Sequence, residues 1–585
     1  TIWTGSINEA EPKLVLGKLP LNDGTVNEPY GFAVFSGEGT VSGSEASASV
    51  LITANKARLA GWNLEPTHLV DASNKLKLEP AGEYIISSSV FWVSSGGSVT
   101  ASNAIFENVR IVGGAADNSI TPFSFTDPGF IGGGKGNQIS ASLNAFLGGG
   151  DRNKISGSDG SVIAGGRENI TDGTGGDANA GTDTFYMAIL GGSENEIYDS
   201  TGAAIVGGGS NTIRSDRPEL EGGGGAAQSF IGGGDNNTIS GSAISAIIGG
   251  RNNLIESIDP LSSGDFASII GGGTGNNIKH GVLSAIMGGG NNKILHSDYA
   301  FLGGGTDNQI SGSAAEYSTI VGGEDNLIDH GRHSAILGGD QNTINVAFCS
   351  IAGGRENKIV HPTDNTNSFN FIGGGSYNRI SGSSLYSSLL GAQASIIDNS
   401  FNSSIAGGRE NKIEHSPYSL LGGGNENAIG SSDERGSRSS VLLGGQFNII
   451  LGYPTGHGID SIGNFLGGGQ VNQLIASSYA FIGGGGSGSL IGKSDYSAIV
   501  GGLSNEISSS KYSAILGGQR NQIIGDAEGN NNDIFIVGSN ITASIANTTH
   551  VENLYSLGNV SGSAISTGSF GKLIVGGVEI DNANF

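Results

Sequence analysis

The residues that could do chemistry in this chain sit in one recurring phrase. Gly132-Gly-Gly-x-x-Asn137-x-Ile139 returns in variants such as Gly148 to Ile155 and Gly338 to Ile344. Glycine runs cradle phosphates when they end in Gly-Lys-Ser/Thr and open a helix, and none of the Gly-Gly-Gly runs does so. The spacing also approaches the calcium-binding nonapeptide, but Asn stands where the ligand Asp belongs and the period is near 16, so no calcium ladder is expected. An amide both donates and accepts, so Asn137, Asn153, Asn308, Asn342, Asn357, Asn411, Asn505 and Asn521 are read as a structural ladder, one rung per repeat. Arg167-Glu168, Arg355-Glu356 and Arg409-Glu410 recur at one turn and are read as surface ion pairs, with a repeated saccharide contact as the alternative. No pair of carboxylates stands out as fit for glycoside hydrolysis. His457 lies in a Gly-rich loop, and Cys349 reads as a small buried thiol. Neither a catalytic centre, a metal site nor a cofactor is expected, and the chain is read as no enzyme.

The elements that would carry these residues are set by composition. Glycine accounts for 105 of 585 residues, against a usual ~7 %, and this density disfavours helices. With 53 acidic against 28 basic residues the formal charge is -25, which argues against nucleic acid as a partner. One cysteine excludes an internal disulfide framework. No apolar run reaches the roughly 18 residues of a membrane span. The chain opens at Thr1 with neither an initiator Met nor a signal-like stretch, and is therefore read as a processed or truncated form.

Starts such as Phe130-Ile-Gly-Gly-Gly, Ile336-Leu-Gly-Gly and Ile515-Leu-Gly-Gly occur 22 times from Phe130 to Ile515, and Asn-x-Ile follows in nearly fixed register. Ser395 and Gly488 replace the Asn in two repeats. Within the unit from Ser513 to Gly525 the phrase [Ser/Asn]-x-Ile-x-Gly occurs twice, eight residues apart. Alternation over about five residues between glycine turns describes a short strand. Two strands per coil of about 16 residues predict an all-β fold, a parallel β-roll or β-solenoid of about 22 coils.

The two strands differ on their outward faces. In the second, the residue between Asn and Ile is mostly polar (Gln138, Lys154, Lys358, Gln522), so that sheet faces water. In the first, the residue after the starting Ile or Phe is apolar, and Ile131, Leu147, Leu302, Leu337, Leu421, Val500 and Leu516 are therefore read as an outward row. Such a row exceeds what a soluble monomer exposes. No amphipathic helix is present to cover it, so the same row on other copies is the expected cover, in a homotrimer about the long axis.

The doubled Ser-x-Ile-x-Gly and Asn-x-Ile-x-Gly phrases resemble the head repeats of trimeric autotransporter adhesins. The wording Ile-Gly-Gly-x-x-Asn-x-Ile is closer still to repeats in tail fibres of marine and cyanobacterial phages. The stretch Ser563-Ala-Ile-Ser-Thr-Gly-Ser-Phe-Gly-Lys-Leu-Ile-Val-Gly-Gly577 resembles segments near the C-termini of such fibres, some of which carry a self-cleaving chaperone beyond them. Coiled-coil stalk heptads and a membrane anchor, which the adhesins possess, are not visible. The resemblance implies a trimeric, extracellular virion fibre, joined to a tail or baseplate protein and contacting a host-surface glycan or protein. A bacterial surface adhesin and a polysaccharide-degrading tailspike are the alternatives.

Three parts are expected: a β-rich attachment or capping domain over 1–98, which holds every Trp; the solenoid shaft over 99–545; and a C-terminal cap or lead-in over 546–585. Insertions lengthen several coils, and solenoids place ligand contacts on such loops. Phe185, Tyr186, Tyr453 and His457 are the candidate receptor contacts within them.

Overall fold

The computed structural model contains no α-helix among its described residues. These are 117–121 and 129–552, except 174–185, 216–226, 258–266, 363–366, 432–435, 454–460 and 527–531, together with Ile111–Val112 and individual strands nearer each end. The chain divides into Thr1–Val109 and Arg110–Phe585. In the first unit, 11 strands between Ile2 and Ala101 form one sheet in sequence order. Neighbouring strands run antiparallel, as in the pairing of Leu14 with Val34 and of Trp92 with Ser87.

The second unit is a parallel β-solenoid. Each strand is too short to stand alone, and it pairs with its counterpart one coil on: Phe130 with Phe146 and Ile131 with Leu147 in one sheet, Ile139 with Ile155 in the other. The first strands of successive coils make a 25-stranded sheet and the second strands a 24-stranded sheet. At about 4.8 Å per strand the stack is roughly 115 Å long. It takes in the degenerate coil at Ile111–Val112, the 22 recognisable repeats, and two further strands at Phe535–Val537 and Thr549–Val551. Leu573–Val575 and Val578–Ile580 pair as an antiparallel hairpin.

The core between the sheets is two columns of aliphatic side chains. One runs through Ile163, Ile189, Ile205 and Ile336, the other through Ile139, Ile155, Ile197 and Ile344, and all are sealed from solvent. Thr171 stands in the second column between Ile155 and Ile197, and its buried hydroxyl has no hydrogen-bond partner. Tight glycines close the corners. Gly150 has φ +98, and a Cβ there would run into the carbonyl of Gly166 in the next coil.

The Asn column lies inside this same corner, next to these glycines, and is buried throughout. The Asn153 amide nitrogen donates to the carbonyls of Gly149 and Gly166, both at 3.0 Å. Its carboxamide oxygen accepts the backbone N–H of Asn169 at 3.0 Å. The same bonds recur at Asn342 and Asn521. Each side chain therefore satisfies turn carbonyls in its own coil and the next while holding the following coil in register. Ser395 takes an Asn place, accepting from Asn411 N–H. In the coil after Phe481 the place belongs to Ser489, whose N–H donates to Asn472 Oδ1, and Gly488 is the turn residue before it.

The outward row read from the sequence needs correction at four positions. Ile131, Leu147, Leu302 and Leu421 are core residues, completely buried, whereas Leu337, Val500 and Leu516 are 54 %, 49 % and 53 % exposed. The reason is the fixed place of the Asn. Counting back six residues from it reaches Leu147 in one coil and Ile336 in another, because a phrase that starts at Phe146 begins one residue earlier in its coil than one that starts at Ile336. The third glycine is no insertion: Gly148 takes the outward place that Leu337 fills, and Gly149, with φ +154, takes the turn place of Gly338. The starting Phe is thus turned outward and the residue after it inward.

Candidate functional site: an apolar face and an aromatic corner

The first-strand sheet presents two outward columns, one residue before and one after each core position. The first contains Phe130, Phe146, Ala188, Ala204, Phe230, Ala335, Phe465 and Ala514. The second contains Gly132, Gly148, Leu190, Val206, Gly232, Leu337, Gly467 and Leu516. From Phe130 to Leu516 neither column holds a charged residue, although the whole chain carries -25. Thr319, Ser350, Ser388 and Ser404 are their only hydroxyl residues. The large side chains are substantially open: Phe146 41 %, Met287 47 %, Leu190 53 %. With about half of one large side chain exposed per coil, the face offers on the order of 2,000 Å² of apolar surface, several times the largest patch on an ordinary monomer.

A third column borders this face, two residues ahead of the first. Tyr299, Tyr317, His333, Phe348, Phe369 and Tyr386 stack ring on ring in successive coils, with centroids 4.7 to 5.1 Å apart. A second run joins Tyr479, Tyr496 and Tyr512 at 5.0 and 5.2 Å. Each ring sits on a left-handed corner residue, such as Tyr317 at φ +57, which costs a bulky side chain on the order of 1 kcal/mol. Ring stacking at about 0.5–1.5 kcal/mol per pair offsets that cost. The coil spacing sets the ring spacing, so the rings present their edges rather than their faces to solvent. The signal was in the sequence: an aromatic or His falls three residues before the buried residue, as in Tyr317 and Ile320 or Tyr496 and Ile499.

The candidate receptor contacts separate. Tyr186 is a corner residue of this same column and is 60 % exposed. Tyr453 is half-buried and its hydroxyl donates to Asp495 at 3.5 Å; burial, and then the neighbouring Asp495 charge, raise its pKa. Phe185 and His457 lie outside the described residues, as do most of the inserted stretches.

Ion pairs line the turns, some within one coil and some between adjacent coils. Arg152 pairs with Glu168 at 2.6 Å and Arg167 with Glu194 at 3.2 Å, each across one coil boundary. Arg355 is 3.4 Å from both Asp340 and Glu356, and Arg409 is 2.7 Å from Glu410. All are solvent-exposed pairs, each adding little to stability. His280 and His296 stack at 4.6 Å on the second-strand side. Among the described residues no group of three His, Cys, Asp or Glu side chains is placed to hold a metal ion, and no helix is long and apolar enough to cross a membrane. Cys349 is sealed in the core, and burial pushes its thiol up to about 12.

No protein-family model matches this chain, and no curated protein sequence matches it. The geometry defines the class: a parallel β-solenoid repeat protein.

Proposed function

We propose that the chain is the shaft-bearing subunit of a homotrimeric virion fibre, an extracellular structural protein that extends from a phage tail or baseplate and contributes to host-surface recognition. The observation that carries this reading is the uncharged apolar face, which runs from Phe130 to Leu516 along a stiff rod on an otherwise strongly acidic chain. Three such faces turned to a common axis would remove the apolar surface from water and leave the polar second-strand sheets outside. The N-terminal antiparallel unit serves as the attachment or capping domain, and the C-terminal hairpin belongs to a cap or lead-in. Recognition proceeds by reach and repetition: the outer surfaces of three identical chains raise the effective concentration of weak contacts to a host glycan or protein. No catalytic step, cofactor or nucleic acid enters this function.

An antibody raised against the purified chain tests the assignment by immunogold labelling of virus-particle and bacterial fractions from the source material. Gold on tails or baseplates is the expected result. Gold confined to bacterial surfaces would replace the fibre with a surface adhesin. Release of soluble saccharide from capsule by the purified chain would replace it with a depolymerising tailspike.

A further inference from the structure

The two outward columns of the apolar face vary together. Where the first residue is Phe the second is Gly, as in Phe130 and Gly132, Phe301 and Gly303, or Phe481 and Gly483. Where the first is small the second is bulky, as in Ala188 and Leu190, Ala285 and Met287, Ala335 and Leu337, or Ala498 and Val500. Part of this is internal. A Cβ at Gly132 or Gly303 would run into the backbone carbonyl of Gly148 or Val321 in the next coil, with the coil's own Phe ring 3.2 or 3.4 Å away, so the backbone itself excludes a side chain there. Nothing internal requires the converse, a half-exposed Leu or Met beside each Ala. The equivalent outward position of the second sheet holds Gln138, Lys154, Lys293 or Lys412, which water favours. A near-constant apolar bulk per coil is what a close-packed contact demands. Ser350 with Ala352 and Ser404 with Ala406 depart from it towards too little, and Val441 with Leu443 towards too much.

We propose that neighbouring copies of this chain meet across this face parallel and coil for coil in register, with the Phe/Gly and small/bulky alternation as the register code. This deepens the trimeric reading and rests on it. The occupant must be apolar, uncharged, roughly 100 Å long and repeated every 4.8 Å or so, and this chain's own face has all four properties. In a cyclic assembly the first column of one copy lies against the second column of the next. At equal height Phe then faces Gly and Ala faces Leu. The order of coil types along the rod is irregular: Phe at 130 and 146, small at 188 and 204, Phe at 230, small at 246 and 285, Phe at 301. A slip of one or more coils, or an antiparallel pairing, therefore sets Phe against Leu at some levels and Ala against Gly at others.

The test is cysteine cross-linking in a Cys349→Ser background, where the buried thiol is replaced by the residue its column otherwise favours, as at Ser334 and Ser387. Differently tagged full-length chains carrying Ala335→Cys and Leu337→Cys are coexpressed and treated with a short bismaleimide. A mixture of Ala335→Cys with Val500→Cys, nine coils or about 43 Å further along, is the control. Cross-linked heterodimers in the first mixture and none in the second are expected. Cross-links between 335 and 500, or an oligomer by native mass with no 335–337 cross-link, would overturn the register while leaving self-association intact. A monomeric native mass for the parent chain would instead remove the trimeric reading.

Discussion

At the residue scale the fold depends on a few buried polar and apolar groups repeated many times. Replacing Asn342 with Ala strips partners from the carbonyls of Gly338 and Gly354 and from the N–H of Asn357. Buried groups left unpaired cost about 1–3 kcal/mol each, so Asn342→Ala should destabilise its neighbourhood by about 3 kcal/mol or more. Amide hydrogen exchange read along the solenoid should show the loss concentrated in the adjoining coils. Cys349 offers a second reading at this scale. Its thiol, pushed up to about 12 by burial, stays protonated in the folded chain, whereas an exposed thiol loses its proton near 9. The unfolded state then binds fewer protons as pH rises, so this group's contribution to stability is intact below about pH 9 and falls between about 9 and 12. Native protein at pH 8 should resist alkylation, and unfolding in denaturant should release one reactive thiol per chain; rapid labelling of the folded protein would contradict the burial.

At the element scale, the two-strand coil, its parallel stacking and the Asn column were legible in the sequence because period-two alternation and an Asn at one place in nearly every coil are local signals. Facing was legible only where the count from the Asn was kept. Leu337, Val500 and Leu516 point outward as read, but Ile131, Leu147, Leu302 and Leu421 point inward, because their phrases start at the outward Phe or Leu, one residue ahead of the core position, and a count off by one reverses the face. The corner rings were missed for a related reason: they lie outside the strands, where aromatic residues have no expected role. Their energetics can be measured. Tyr317→Asn relieves a left-handed Tyr but removes the ring contacts to Tyr299 and His333. Relief of about 1 kcal/mol set against two contacts of about 0.5–1.5 kcal/mol leaves a net loss of up to about 2 kcal/mol. A gain in thermal stability would show that stacking does not hold the corner.

At the scale of the whole molecule, the apolar face and the charge act in opposite directions. Copies bearing -25 each repel, while the uncharged columns attract. Raising salt from about 0.01 M to about 0.15 M shortens the screening length from about 30 to 8 Å, so self-association should strengthen; weakening with salt would point to ion pairs as the contact. A stack in which every strand pairs with one a coil away must separate many contacts to unfold, and its unfolding should be slow. The most direct measurement is the native mass of the purified full-length chain by light scattering. A homotrimer weighs three times the 58.9 kDa of one chain, and this is the expected result. A mass of one chain, unchanged on concentration, would mean that the face from Phe130 to Leu516 is not covered by its own kind, and the proposed fibre would fall with it.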